Sequence, residues 1–399
     1  MLPEEGMRLG RYHQMAEVLV KTGYNVTLFI SNFSHRTKKK ALRFNSSTFV
    51  NGIEYKMIKS STYDSHISLD RIFYEKKFIK NLIASIKDES KPDLIVIRDP
   101  AIFISNTLIS FVKKNEIKYI VDIIDLWPEL FEMVLPKYLQ KYSKLIFSSF
   151  YKRRTKLLAG ASAYTAVAPD YLKIATDINS MKLSQVIFWG CDYQKIKSLS
   201  SKKGVEILNK FSLKKEKGDF WLIYSGTLGD NYDIKSIFYV GEQLSSYCNV
   251  KFIIAGSGPL SSWIQNFIRQ KKPTNIFFIG EIKSDELFAL FGFCDIGLTT
   301  YTKKSTVSMP IKCYDYFASG LPVINCLGRN LGKIVSEHNL GYNYLAEDIS
   351  SMKEVILKSY LDKIGYLDKK NNVLKIASQF EQSTQYQLLG DLVNKTLAG

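Results

Sequence analysis

Apolar positions along this chain switch repeatedly between helical and strand periods. In RYHQMAEVLVKTGYNVTLFI, residues 11–30, Met15, Val18 and Leu19 recur at helical spacing, Gly23 ends the helix, and a strand runs from Asn25 to Ile30. The alternation continues with a helix near 70–87, the strand DLIVI at 93–97, a helix over 103–115 and the strand YIVDII at 119–124. A long helical region over about 130–158 precedes AYTAVA at 163–168 and QVIFWG at 185–190. The series restarts at FWLIYSG, 220–226, with a helix over 233–247, KFIIAGSG at 251–258, another helix and NIFFIG at 275–280. A helix over 284–293, DIGLTT at 295–300, a helix inside SMPIKCYDYFASGLPVINC (308–326), the strand VINC and a helical tail over 371–398 complete it. Uniformly apolar strands alternating with helices predict α/β domains with parallel sheets covered on both faces.

Two such domains are predicted. The first spans 1–191, a polar, lysine-rich stretch over 192–218 joins it to the second at 219–370, and the tail 371–399 packs back towards the first. The first domain has an unusual beginning. A doubly wound domain normally opens with a strand whose glycine turn leads into the first helix, yet here the turn-like EEGMRLG stands at the N-terminus, so strand one is expected to be missing. Its loss would expose two sheet edges.

The segment 308–326 has strong local punctuation. Ser308 is expected to cap a helix with Pro310 in its first turn, Gly320 to supply a left-handed exit, and Pro322 to bar continuation before Val323 and Ile324. Ile311, Tyr314 and Ala318 fall on one face, and Lys312 and Asp315 share another.

Composition narrows the class. With 399 residues, 46% of them apolar, the chain has ample material for two cores. No apolar run reaches the roughly 18 residues needed to span a bilayer, and the first ten residues lack a signal-peptide pattern, so a soluble or peripheral protein is expected. Five cysteines without a CxxC pair and four scattered histidines point to a reducing cytoplasm and no structural zinc. The net charge of +17 calls for an anionic partner. Nucleic acid is disfavoured, because no zinc-finger, RNP-like or basic-zipper pattern is present. An anionic membrane or a phosphorylated substrate remains.

Six segments, taken in order and spacing, resemble the family 4 glycosyltransferases of the GT-B fold, in particular the bacterial sugar transferases of surface-polysaccharide pathways. They are GMRLGRYHQMAEVLVKTGYNVTLF (6–29), IDLWPEL (124–130), FWGCDYQKI (188–196), LIYSGTLG (222–229), KFIIAGSGP (251–259) and MPIKCYDYFASGLPVI (309–324). The resemblance implies two Rossmann-like domains facing a cleft, and transfer of a sugar, with retention, from a nucleotide-diphosphate sugar to a polyprenyl-diphosphate-linked saccharide. It also implies metal-independent donor binding, consistent with the lack of a DxD motif, and no cofactor. In this reading Asp315 binds the ribose diol, since a carboxylate accepts two hydrogen bonds at once. The helix start at Pro310 and Ile311, together with Lys312, faces the diphosphate. Gly226, Thr227, Gly256 and Gly258 allow close backbone approach to the donor. Gly6, Arg8, Gly10, Arg11 and Arg98 line the acceptor side, with Asp125 at a strand end there, and Asp125 and Lys312 are the catalytic candidates.

The chain departs from the family pattern at three places. Val307 stands where many members carry the first of two glutamates, Thr227 and Tyr232 where many carry arginine and lysine, and Ile124 where a histidine is frequent. Lys312, or Lys303 and Lys304, is expected to supply the missing charge. The alternatives are a nucleotide-sugar epimerase of the same fold and a non-catalytic nucleotide-sugar-binding partner. The basic runs HRTKKK (35–40) and KRRTK (152–156), the latter after LFEMVLPKYLQKYSKLIFSSFY, read either as solvated faces or as a surface docking on the anionic inner face of the cell membrane.

Overall fold

The structure is a computed structural model and describes residues 10–34, 47–64, 69–101, 105–132, 135–199, 201–247 and 249–399. The chain divides into two compact units, Met1–Phe188 with Ser383–Gly399, and Trp189–Gln382.

In the first unit, β1 (Val26–Ser31), β2 (Ser47–Val50) and β3 (Ile53–Ile58) form one sheet in the order β1-β3-β2. The β1–β3 pair is parallel and the β2–β3 pair antiparallel. The strands β4 (Leu94–Asp99), β5 (Lys118–Ile123), β6 (Ala163–Ala166) and β7 (Leu183–Val186) form a second, wholly parallel sheet in that order. Both β1 and β4 are therefore edge strands among the described residues. The helices Arg11–Lys21 and Gln382–Ala398 share a core with β5 and β6, where Met15, Tyr386, Leu389 and Val393 meet Ile120 and Ala163. The hairpin of β2 and β3 was not anticipated from the sequence. The helical region over 130–158 is also broken, into Glu129–Glu132, Lys137–Gln140, Ser143–Ile146 and Ser148–Ala159. Pro136, at the N-cap of the second piece, has no N–H to continue a helix through it.

The second unit is one six-stranded parallel sheet. Its strands are β8 (Phe220–Ser225), β9 (Val250–Ala255), β10 (Ile276–Gly280), β11 (Ile296–Thr299), β12 (Val323–Asn325) and β13 (Gly341–Asn343). Their order is β10-β9-β8-β11-β12-β13, with the reversal of direction beside β8. Every residue of β8 is buried, as a strand covered on both faces requires. Residues 192–218, expected as a linker, hold the helices Tyr193–Ser198 and Ser201–Lys210 inside this unit. The tail is divided, since the helix Lys363–Ala377 belongs to the second unit and Gln382–Ala398 to the first.

Candidate functional site

In open parallel sheets, ligands bind beyond the strand C-termini where the strand order reverses. In the second unit that point lies at the end of β8. Ser225 is followed by Gly226 at φ +135°, and β9 by Gly256 at φ +143° and Gly258 at φ +156°. These glycines pack the two strand-end loops against each other. A Cβ at Gly256 would lie 1.8 Å from Gly226 O, and one at Gly258 would lie 2.5 Å from Leu228 O. The amides of Gly226 and Gly256 donate to Ala255 O (3.0 Å) and Gly280 O (2.7 Å), and that of Gly258 donates to Ser261 Oγ (3.2 Å). The sequence suggested that all three glycines open backbone towards a phosphate; here their first service is loop-to-loop contact. Gly226 and Thr227 are exposed beyond that contact.

The helix Ile311–Ala318 packs behind this loop. Tyr316 fixes it, because its hydroxyl accepts from Ser225 N–H (3.0 Å) and its ring lies where a Cβ on Gly297 would come within 2.4 Å. Gly320 at φ +71° ends the helix as expected, with Leu321 N–H donating to Tyr316 O and Gly320 N–H to Phe317 O. The start differs from expectation. Pro310 is the N-cap and Ser308 does not cap this helix; Ser308 Oγ accepts instead from the N–H of Asn330, the first residue of the helix Asn330–Glu337. The predicted division into a polar and an apolar face holds only in part. Ile311 is 40% exposed, whereas Tyr314 and Ala318 are buried as expected and so is Asp315.

Lys312 is the largest surprise of the site. The residue is half-buried as a whole, but its Nζ is closed off from solvent and makes no hydrogen bond. Three aromatic rings surround it, with centroids at 3.8 Å (Tyr224), 5.0 Å (Tyr232) and 5.7 Å (Tyr301). A Cβ on Gly226 would lie 3.1 Å from the amine, so the amine sits directly beneath the β8 loop. Burial lowers its pKa to about 7, only partly opposed by Cys313 and Cys326. Burial also holds the Tyr224 and Tyr301 hydroxyls far above their ordinary value, so both rings are neutral. The local sequence does not single out the three tyrosines as a cage, because they come from β8, the turn after it and the segment beyond β11.

The first unit holds the other candidates. Gly6 and Arg8 lie outside the described residues, as does the run 35–40. Arg11, expected on the acceptor side, is committed to the core. It is 2% exposed and forms a two-pronged pair with Asp122 (Nε–Oδ2 3.0 Å, Nη2–Oδ1 3.1 Å), and Nη1 donates to Phe188 O (3.1 Å). Asp122 also accepts from Tyr12 Oη at 2.9 Å. Arg98 is exposed at the end of β4, its guanidinium 5.9 Å from the Tyr12 ring centroid. Asp125 accepts from Leu126 N–H (3.0 Å), and burial raises its carboxyl against the lowering effect of that bond, of Trp127 and of Arg98. Asp99, at the end of β4, is almost fully buried; burial pushes it up to about 7, although Oδ1 accepts from Ala101 N–H at 3.0 Å.

Two Rossmann-like units built mainly of parallel sheet, with the Lys312 amine in the first turn of a helix beside the first strand end of the second, give an α/β fold of the GT-B type. Residues 205–379 match the family described as glycosyl transferases group 1, so the second unit carries a glycosyltransferase group 1 domain. The chain is 24% identical over 141 residues to chitobiosyldiphosphodolichol beta-mannosyltransferase of Mus musculus, an alignment covering 34% of this chain and 29% of that protein. It therefore spans less than a third of that curated relative. Sucrose-phosphate synthase from Thermosynechococcus elongatus superposes with a TM-score of 0.74 at 12% identity, over 97% of this chain and 92% of that one. Anabaena HepE in complex with UDP superposes with a TM-score of 0.68 at 13% identity, over 98% of both chains.

Proposed function

We propose that this protein transfers a sugar from a nucleotide-diphosphate sugar to a lipid-linked saccharide, in the building of a bacterial surface polysaccharide. The observation that carries the reading is the unpartnered Lys312 amine beneath Gly226, next to the start of the helix Ile311–Ala318. The first amides of a helix have no partner within it and present the positive end of its dipole. A diphosphate at Gly226 and Thr227 would accept from those amides and meet the ammonium, and the same groups would stabilise the charge that grows on the departing nucleoside diphosphate. Asp315, one turn along the helix, is assigned to the ribose diol. Asp125 and Arg98 are assigned to the acceptor, and retention of configuration is the outcome the family resemblance implies.

A lipid-linked acceptor is supported by the mouse relative, whose name contains a diphosphodolichol-linked saccharide. Among the described residues no helix is long and apolar enough to cross a membrane, so reaching such an acceptor calls for a docking surface. Tyr138 (72% exposed), Leu145 (74%) and Ile146 stand out from the short helices among exposed Lys137, Lys141 and Lys144. That mixture suits the interfacial zone of an anionic inner membrane, at about 1 kcal/mol for each basic residue near the surface.

The test is a turnover screen with UDP-, GDP- and dTDP-sugars and polyprenyl-diphosphate-linked mono- and disaccharides, with NMR of the product's anomeric centre. One donor should give a glycosylated lipid, and Asp315→Ala should abolish it. Failure of every donor to bind or turn over would refute the reading. Vesicle sedimentation at physiological salt tests the docking surface, which is wrong if anionic and neutral vesicles capture the protein equally.

A further inference from the structure

Resting on that reading, the surroundings of Lys312 suggest a further step. Among the described residues, the groups that surround or act on the amine are uncharged at neutral pH. Tyr224 comes from β8, Tyr232 from the turn that follows, Tyr301 from beyond β11, Cys313 from its own helix and Cys326 from beyond β12. Among the described residues no carboxylate acts on it, and its Nζ has no hydrogen-bond partner. Burial likewise keeps both thiols protonated, Cys313 well above its ordinary value and Cys326 pushed up to about 11. The three rings offer an ammonium quadrupole attraction but no counter-ion, so the charged form is poorly supported until an anion arrives.

We propose that Tyr224, Tyr232 and Tyr301 are positioning residues that hold Lys312 as a proton-accepting amine in the free protein, and that capture of the donor diphosphate takes up a proton at Lys312 Nζ. Such a device places the site's positive charge where the family pattern's arginine and lysine are replaced by Thr227 and Tyr232. The amine sits beside Gly226, so a phosphate above the loop is close enough to supply the missing counter-charge. With the free amine titrating at about 7, binding at pH 8 should draw in close to 0.9 proton per nucleotide. Affinity should fall about tenfold for each pH unit above that, until the bound amine itself loses its proton.

The experiment is isothermal titration of UDP, GDP, ADP and dTDP into the full chain between pH 7.5 and 9, in buffers of different ionisation enthalpy. The nucleotide that binds should show proton uptake approaching one. Lys312→Met should bind at least tenfold more weakly at pH 7.5 with no uptake, and Lys312→Arg, permanently charged, should bind without uptake. Tyr232→Phe should keep the uptake, while Tyr232→Ala, which opens the cage to water, should lower it. Uptake that persists in Lys312→Met, or binding by the unmodified chain without uptake, would overturn the inference and leave the transferase reading standing. Failure of all four nucleotides to bind at any pH would overturn both.

Discussion

Replacing Lys312 by Met exchanges a closed-off amine for a thioether of similar length and leaves the three tyrosine rings in place. In the free protein this change should stabilise the fold. The amine's pKa falls from 10.5 to about 7 on folding, which at about 1.4 kcal/mol per pH unit is a cost of roughly 4 to 5 kcal/mol when the amine is charged in both states. The sign follows from the lowered value: the cost is full below pH 7, shrinks as pH rises through the interval from 7 to 10.5, and vanishes above it. At pH 9 about 2 kcal/mol remains. Lys312→Met should therefore melt about 10 to 15 °C above the unmodified chain at pH 7, at about 2 to 4 °C per kcal/mol for a unit of this size, and the gap should close towards pH 10.5. Chemical denaturation of both forms at pH 6, 7, 8, 9 and 10 without nucleotide measures it. A Met variant that is less stable at pH 7, or a gap that does not change with pH, would mean that the amine is solvated or paired and that the cage argument is wrong. Stabilisation combined with lost nucleotide binding is the signature of a site that carries strain for function.

Two further changes test how the scaffold is held. Asp122→Asn should cost about 3 to 5 kcal/mol, because it leaves the Arg11 guanidinium in the core without its counter-charge, and an Arg11→Met/Asp122→Leu double variant should recover most of the loss in denaturant melts. Gly256→Ala should cost more than about 3 kcal/mol or prevent folding, since its Cβ would meet Gly226 O at 1.8 Å, whereas Gly280→Ala, with φ +71° but open space around it, should cost only about 1 to 2 kcal/mol. Paired thermal melts of the two variants decide whether loop contact or backbone conformation alone makes Gly256 necessary.

The alternation of helices and strands, the break at Gly320 and the two-domain architecture were legible in the sequence, because they depend on local period and on residues with restricted or unusual backbone freedom. The strand ends at Gly226 and Gly256 were legible for the same reason. The hairpin of β2 and β3 was missed although its signal is local: Asn51 and Gly52, both at positive φ, form the two-residue turn between Val50 and Ile53 that an Asn-Gly pair favours. Lys312 and Arg11 show the limit most clearly. Both stand on predicted helices as charged residues of the kind that normally faces water, and sequence spacing gives Lys312 a polar face shared with Asp315. Only the packing of distant segments decides that Arg11 meets Asp122 in the core and that Lys312 ends under Gly226 among Tyr224, Tyr232 and Tyr301. Local pattern determines which elements form, because helix and strand periods are properties of near neighbours. The solvation, partners and protonation of a side chain depend on what the fold brings to it across long sequence distances, and those were decided by tertiary structure.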